Sequence, residues 1–117
     1  MQYMLLIHTD EAPFAAMAPE VQAKMSEPYA AYNRALEQAG ALVAGERLAL
    51  SKTATTVKVR NEKTEVLDGP FADTKEQMAG FYIIEAADHD AALKWAARCP
   101  GAAHGIVEVR AIAGMRV

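Results

Sequence analysis

The first apolar run of the chain does not alternate. Gln2 to His8 predicts a strand in which Tyr3, Leu5 and Ile7 point one way and Met4 and Leu6 the other. A strand apolar on both sides is covered on both sides. Thr9 to Ala18, with Asp10-Glu11 and Pro13, reads as a loop. Pro19 suits the first turn of a helix, where its missing N–H is harmless. Val21 and Met25 then open an apolar stripe that Pro28 interrupts. The spacing predicts a short helix, a break near Ser26-Glu27, and a longer helix from Pro28 to Ala39. Tyr29, Tyr32, Leu36 and Ala39 share one face of it, and Gly40 is placed to end it in the left-handed conformation.

Ala41 to Leu50 carries Leu42, Val43 and Leu48 around Gly45-Glu46 and predicts a strand with a bulge at Gly45. Thr55 to Arg60 alternates, Asn61-Glu62-Lys63 is a turn, and Thr64 to Leu67 returns. This hairpin is polar on one face and is expected at a sheet edge. Gly80 to Glu85 is again apolar on both sides, with Phe81 and Ile83 opposed to Tyr82 and Ile84. Asp88 is a helix N-cap, and Ala92, Trp95, Ala96 and Cys99 form the buried stripe behind it. Pro100-Gly101 stops that helix. Gly105 to Ile112 is the last strand, with Val107 and Val109 on one side and Ile106, Glu108 and Arg110 on the other.

The order β, α, β, hairpin, β, α, β describes an α+β chain of the ferredoxin-like split βαβ type with an inserted β-hairpin, in one domain over residues 1–117. Two helices cover one face of such a sheet. The other face is still apolar, and a second copy of the chain is the simplest cover, so a homodimer with facing sheets is expected.

Charge and composition narrow the partners. Of 117 residues 52% are hydrophobic and 23% charged, ordinary for a globular protein, and the net charge of -3 argues against nucleic acid. No apolar run approaches the roughly 20 residues that span a bilayer. A single Cys99 forms no internal disulfide, and the expected location is cytoplasmic. Three dispersed histidines give no metal-ligand spacing, and no glycine-rich phosphate loop or nucleophile motif occurs. No metal and no cofactor is expected.

The run Val66-Leu67-Asp68-Gly69-Pro70-Phe71-Ala72-Asp73-Thr74-Lys75-Glu76 is the most distinctive in the chain. Its Asp68-Gly69-Pro70-Phe71 core resembles the DGPF branch of the YCII-related proteins. Further segments follow the same family in order: Tyr3 to Ile7 with Asp10-Glu11, Gly40 to Glu46 with Leu48, Thr55-Thr56-Val57, Ala91 to Ala96, and Val107 to Arg110. The resemblance implies a dimeric α/β barrel with a cleft between sheet and helices, where the YCII branch places a His and an Asp taken as an acid–base dyad. A few relatives are dehydrochlorinases of chlorinated aromatic breakdown products, and the fold is shared with muconolactone isomerases. Some DGPF members are encoded beside extracytoplasmic-function sigma factors, which implies such a factor as a partner. Where the YCII branch has its His, on the first helix, this chain has Tyr29 and Tyr32; Asp68 alone carries over.

Asp68 has two readings: a turn cap bonded to backbone N–H groups, or a cleft acid able to act as general base. His8, at the end of the first strand, is the preferred catalytic partner, although a strand-end His is ordinarily a surface residue. Tyr29, Tyr32 and Tyr82, core residues with hydroxyl tips, are candidate substrate contacts together with Phe71 and His104. His89 is expected in solvent. Asp73, Lys75 and Glu76 read as a solvated cluster; Thr74 and Gln77 have two readings, cleft lining and, favoured, a polar loop. Two functions fit: a cofactor-free acid–base enzyme of isomerase or lyase type acting on a small carbonyl or aromatic acid, or a module that binds a small ligand or a regulatory partner.

Overall fold

A computed structural model describes residues 1–72 and 74–115. Its elements are β1 (Gln2–Thr9), α1 (Glu11–Ala15), α2 (Pro19–Lys24), α3 (Glu27–Gln38), β2 (Leu42–Arg47), β3 (Thr55–Arg60), β4 (Lys63–Asp68), β5 (Gln77–Glu85), α4 (His89–Arg98) and β6 (Ile106–Ala111). The pattern of apolar positions predicts all of them except α1, which falls inside the expected loop. Asp10 makes that helix: its side chain accepts from Ala12 N at 3.1 Å. Pro13 then lies in the first turn, where no intrahelical donor is lost.

β2, β5, β1 and β6 form one antiparallel sheet in that order. With the hairpin set aside, the strands lie fourth, first, third, second, an α+β arrangement consistent with the ferredoxin-like split βαβ pattern. The hairpin corrects an expectation. Among the described residues β3 and β4 pair only with each other, as a separate two-stranded sheet, and do not extend an edge. The bulge is also displaced, to between Leu42 and Ala44. Gly45 is small for another reason: a Cβ there would stand 2.7 Å from Cδ1 of Tyr82.

The core lies on one face of the sheet. Tyr3, Leu5 and Ile7 of β1 and Tyr82 and Ile84 of β5 meet Tyr32 and Leu36 of α3, Ala92 and Ala96 of α4, and Cys99. Leu5, Leu36 and Ile84 are fully buried, each stabilising the fold by about 1.5–3 kcal/mol. Ala39 corrects the predicted stripe: it is exposed at the C-cap of α3, ahead of Gly40 at φ 67°. Asp88 caps α4 as predicted, accepting from Ala91 N at 2.8 Å.

The other face carries Met4, Leu6 and His8 of β1, and in register with them Ile83, Phe81 and Met78 of β5. Arg110, Glu108 and Ile106 of β6 border it on one side. These β1 and β5 side chains stay half-buried and none joins the core. The chain as a whole is spread out. It exposes 8279 Å², whereas a folded chain of 12.6 kDa exposes about 6,200 Å². Its radius of gyration is 16.1 Å, against about 13 Å for a compact chain of this length.

Candidate functional site

A concavity opens at the root of the hairpin. It has a volume of about 580 Å³ and apolar walls formed by Leu48, Leu50, Val57, Phe71 and Met78, with the polar residues Gln77, Ser51 and Thr56 among them. Local bonds set its shape. Leu48 N donates to Ala79 O at 2.8 Å, which carries the chain along β5 beyond the end of β2. A 3-10 turn over Ser51–Thr53 then redirects it into β3. On the far side, the turn after β4 is tied down by Gly69 N donating to Ala54 O and by the Thr56 hydroxyl donating to Gly69 O, both at 2.7 Å.

Asp68 stands at this root, opposite Thr55. Its side chain is exposed and makes no hydrogen bond among the described residues. Thr56 therefore does the stapling that the turn-cap reading gave to Asp68. Phe71 is 93% exposed although it forms one wall of the groove. Gln77, for which the sequence left cleft lining open beside a polar loop, lines the groove, and its amide donates to Thr74 O. Lys75 is exposed and Glu76 half-buried; Asp73 lies outside the described residues.

His8 lies on the half-buried sheet face, and Met78 of the groove wall is its register partner. Its Nε2 is 3.3 Å from a carboxylate oxygen of Glu108, on the neighbouring strand. Nε2 is buried, and among the described residues it has no hydrogen-bond partner. Such an atom is rare, since buried polar groups are almost always paired.

The chain matches the YCII-related domain over residues 1–116. It belongs to the YCII-related family. An uncharacterised protein of Rhizobium meliloti (strain 1021) is 36% identical over 115 residues, a match covering 97% of this chain and 93% of that relative.

In this YCII-related chain the remaining candidates fall in two other places. Tyr29, Tyr32 and Tyr82 come together beside Cys99, on the helix-covered side. The Tyr32 ring meets those of Tyr82 and Trp95 edge-on, at 5.3 and 6.2 Å. Its hydroxyl donates to Trp95 O at 2.7 Å, and that of Tyr82 donates to Asn33 Oδ1. Burial pushes Tyr29 and Tyr82 up to about 12, Tyr32 higher still, and the Cys99 thiol up as well. At neutral pH all four are uncharged packing groups. His104 is exposed at the end of a 3-10 turn, Pro100–Ala103. His89 is exposed, with its ring 6.1 Å from that of Tyr3.

The sequence candidates thus divide among the groove (Phe71, with Asp68 at its root), the half-buried sheet face (His8), the core (Tyr29, Tyr32, Tyr82) and open solvent (His104). Glu108, beside His8, was not among the sequence candidates. Its signal was alternation, which sets it on the opposite side of β6 from Val107 and Val109; only the register of β6 against β1 brings it to His8. Among the described residues, no three His, Cys, Asp or Glu side chains gather in a way that could hold a metal ion. No helix among them is long and apolar enough to cross a membrane.

Proposed function

We propose that this YCII-related protein is a homodimer that performs acid–base chemistry on a small carbonyl or aromatic acid, without a cofactor. His8 exchanges the proton, Glu108 stands beside its Nε2, and the groove at the hairpin root holds the apolar body of the ligand. The carrying observation is His8 Nε2, buried without a hydrogen bond 3.3 Å from Glu108. With Nε2 turned toward a carboxylate, Nδ1 is the ring nitrogen left to exchange a proton. The register contact with Met78 sets the imidazole one strand away from the groove wall. Asp68, with no partner among the described residues, supplies a second acid at the root.

The Asp68-Gly69-Pro70-Phe71 run supports the DGPF branch within the family. The half-buried apolar face supports a dimer of facing sheets, the dimeric α/β barrel, because its central side chains would leave water only against a second surface. The reaction class is isomerisation or elimination, in which a proton moves and no electrons need an outside carrier.

The test is proton exchange. Small ketoacids and aromatic acids are incubated with the protein in deuterated water, and deuterium entry next to the carbonyl is followed by NMR. Exchange that falls by about a hundredfold or more in His8→Asn, within the usual range for losing an acid–base group, supports the reading, provided the melting temperature is kept. Full exchange in that variant overturns it. Binding in the groove without exchange in the wild type would favour a non-catalytic ligand-binding module.

A further inference from the structure

The β3–β4 hairpin has two chemically different faces. Directly opposed residues of an antiparallel pair point to the same side, and successive residues alternate. The register therefore puts Val57, Val59 and Val66 on one side, with Thr55, Asp68 and Thr64. Lys58, Glu65, Arg60 and Lys63 lie on the other, with Thr56 and Leu67 at its root. Lys58 and Glu65 form an ion pair across the charged side at 3.2 Å. The three valines are 56–60% exposed. Among the described residues no third strand pairs with the hairpin, and two strands alone are marginal in water.

We propose that this hairpin is a docking arm for a second copy of the chain, packed through its Val57–Val59–Val66 side, with the charged side left in water. The inference rests on the homodimer read above and assigns it a surface beyond the facing sheets. Two observations favour a second copy as the occupant. First, the valine side is continuous with the sheet face: Val57 and Met78 line one groove, and Met78 is in register with His8 on that face. The two surfaces adjoin, so one partner can cover both. Second, the area is right. The chain shows 8279 Å², about 2,000 Å² above a compact chain of its mass, within the 1,000 to 2,500 Å² that each partner of an obligate dimer contributes at roughly 2,000–5,000 Å² in total. Asp68 shares the valine side, so docking sets its carboxylate at the border of the two chains and closes the groove with the partner's surface.

The experiment compares three full-length proteins by sedimentation from nanomolar to high micromolar concentration. They are the wild type, Val59→Lys/Val66→Lys, and Lys58→Ser/Glu65→Ser as a control on the charged side. Hydrogen exchange of the hairpin amides in the wild type is measured over the same range. The expected result is a wild-type dimer whose hairpin amides gain protection as it forms. The dissociation constant should rise roughly a hundredfold in the valine variant, about 2.7 kcal/mol, and stay nearly constant in the control. A valine variant that dimerises like the wild type, or hairpin protection indifferent to dimer formation, overturns the arm and leaves the facing-sheet dimer intact. A wild type that is monomeric throughout overturns the homodimer and the arm with it. If the valine variant does not fold, the wild-type exchange alone decides.

Discussion

Glu11 holds Ser51 twice across forty residues of chain: its carboxylate accepts from Ser51 N at 2.9 Å and from Ser51 Oγ at 2.6 Å. A cation–π contact lies close by in sequence, with the Arg47 guanidinium 4.4 Å from the centre of the Phe14 ring. The segment after β1 is thereby clamped to the turn that launches the hairpin, and Ser51 is part of the groove lining.

Glu11→Ala should cost about 1.5–3 kcal/mol, the range for hydrogen bonds to a charged group. The groove should suffer more than the core. Urea denaturation gives the stability change, and hydrogen exchange should show faster opening around residues 48–56 than in β1 and β5.

Asp68→Asn should alter stability by no more than about 0.5 kcal/mol, as an exposed substitution away from any bond does. Thr56→Val, which removes the hydroxyl bonded to Gly69 O, should cost about 1 kcal/mol. Thermal melts of the two side by side separate a staple from an acid kept for chemistry.

The core predicts its own costs. Leu36→Ala, at a fully buried position facing Tyr32 and the sheet, should lose about 2–5 kcal/mol. Asp88→Ala should lose about 1 kcal/mol through the α4 cap. Denaturant midpoints at unchanged slope would verify both.

Alkaline pH should weaken the fold through its tyrosines. Burial raises Tyr29 and Tyr82 to about 12, against about 10 in the unfolded chain, and Tyr32 shifts the same way. The folded chain holds these protons more tightly. The stabilisation is therefore complete below about pH 10 and is lost as pH rises toward 12. Denaturant midpoints should be flat to about pH 9 and fall above it. Tyrosinate absorbance should appear together with unfolding, and Tyr82→Phe should make the fall shallower.

Much of this architecture was legible because it depends on local spacing. The double-sided strands β1 and β5, the α3 stripe of Tyr32 and Leu36, the Asp88 cap and the Asn61–Glu62 turn each follow from residues within a few positions of one another. α1 was hidden because Pro13 reads as a loop signal unless Asp10 is recognised as the cap that puts Pro13 in a first turn. The hairpin's detachment from the main sheet was hidden for a different reason: alternation shows that a strand has two faces, not which strand it joins. The site suffered most. Tyr32 and Tyr82 are the core residues their apolar bodies predict, with Tyr29 half-buried against them; what local spacing did not show is that their hydroxyl tips lie away from the groove. Glu108 reaches His8 only through a strand register that local spacing does not encode.

The sheet order also sets a timetable for synthesis. β1 pairs with β5 and β6, and β2 pairs with β5, so no strand of the main sheet has a partner until Gln77 and the residues after it have been made. Before then β3 with β4 is the one described strand pair whose two halves both exist. The two-sided apolar run Tyr3 to Ile7 must wait in the nascent chain with its edges and both faces open. Long-range pairing of this kind is slow and leaves sticky strands uncovered while it proceeds. A growing YCII-related chain is thus most vulnerable to aggregation during the interval between its first strand and its fifth.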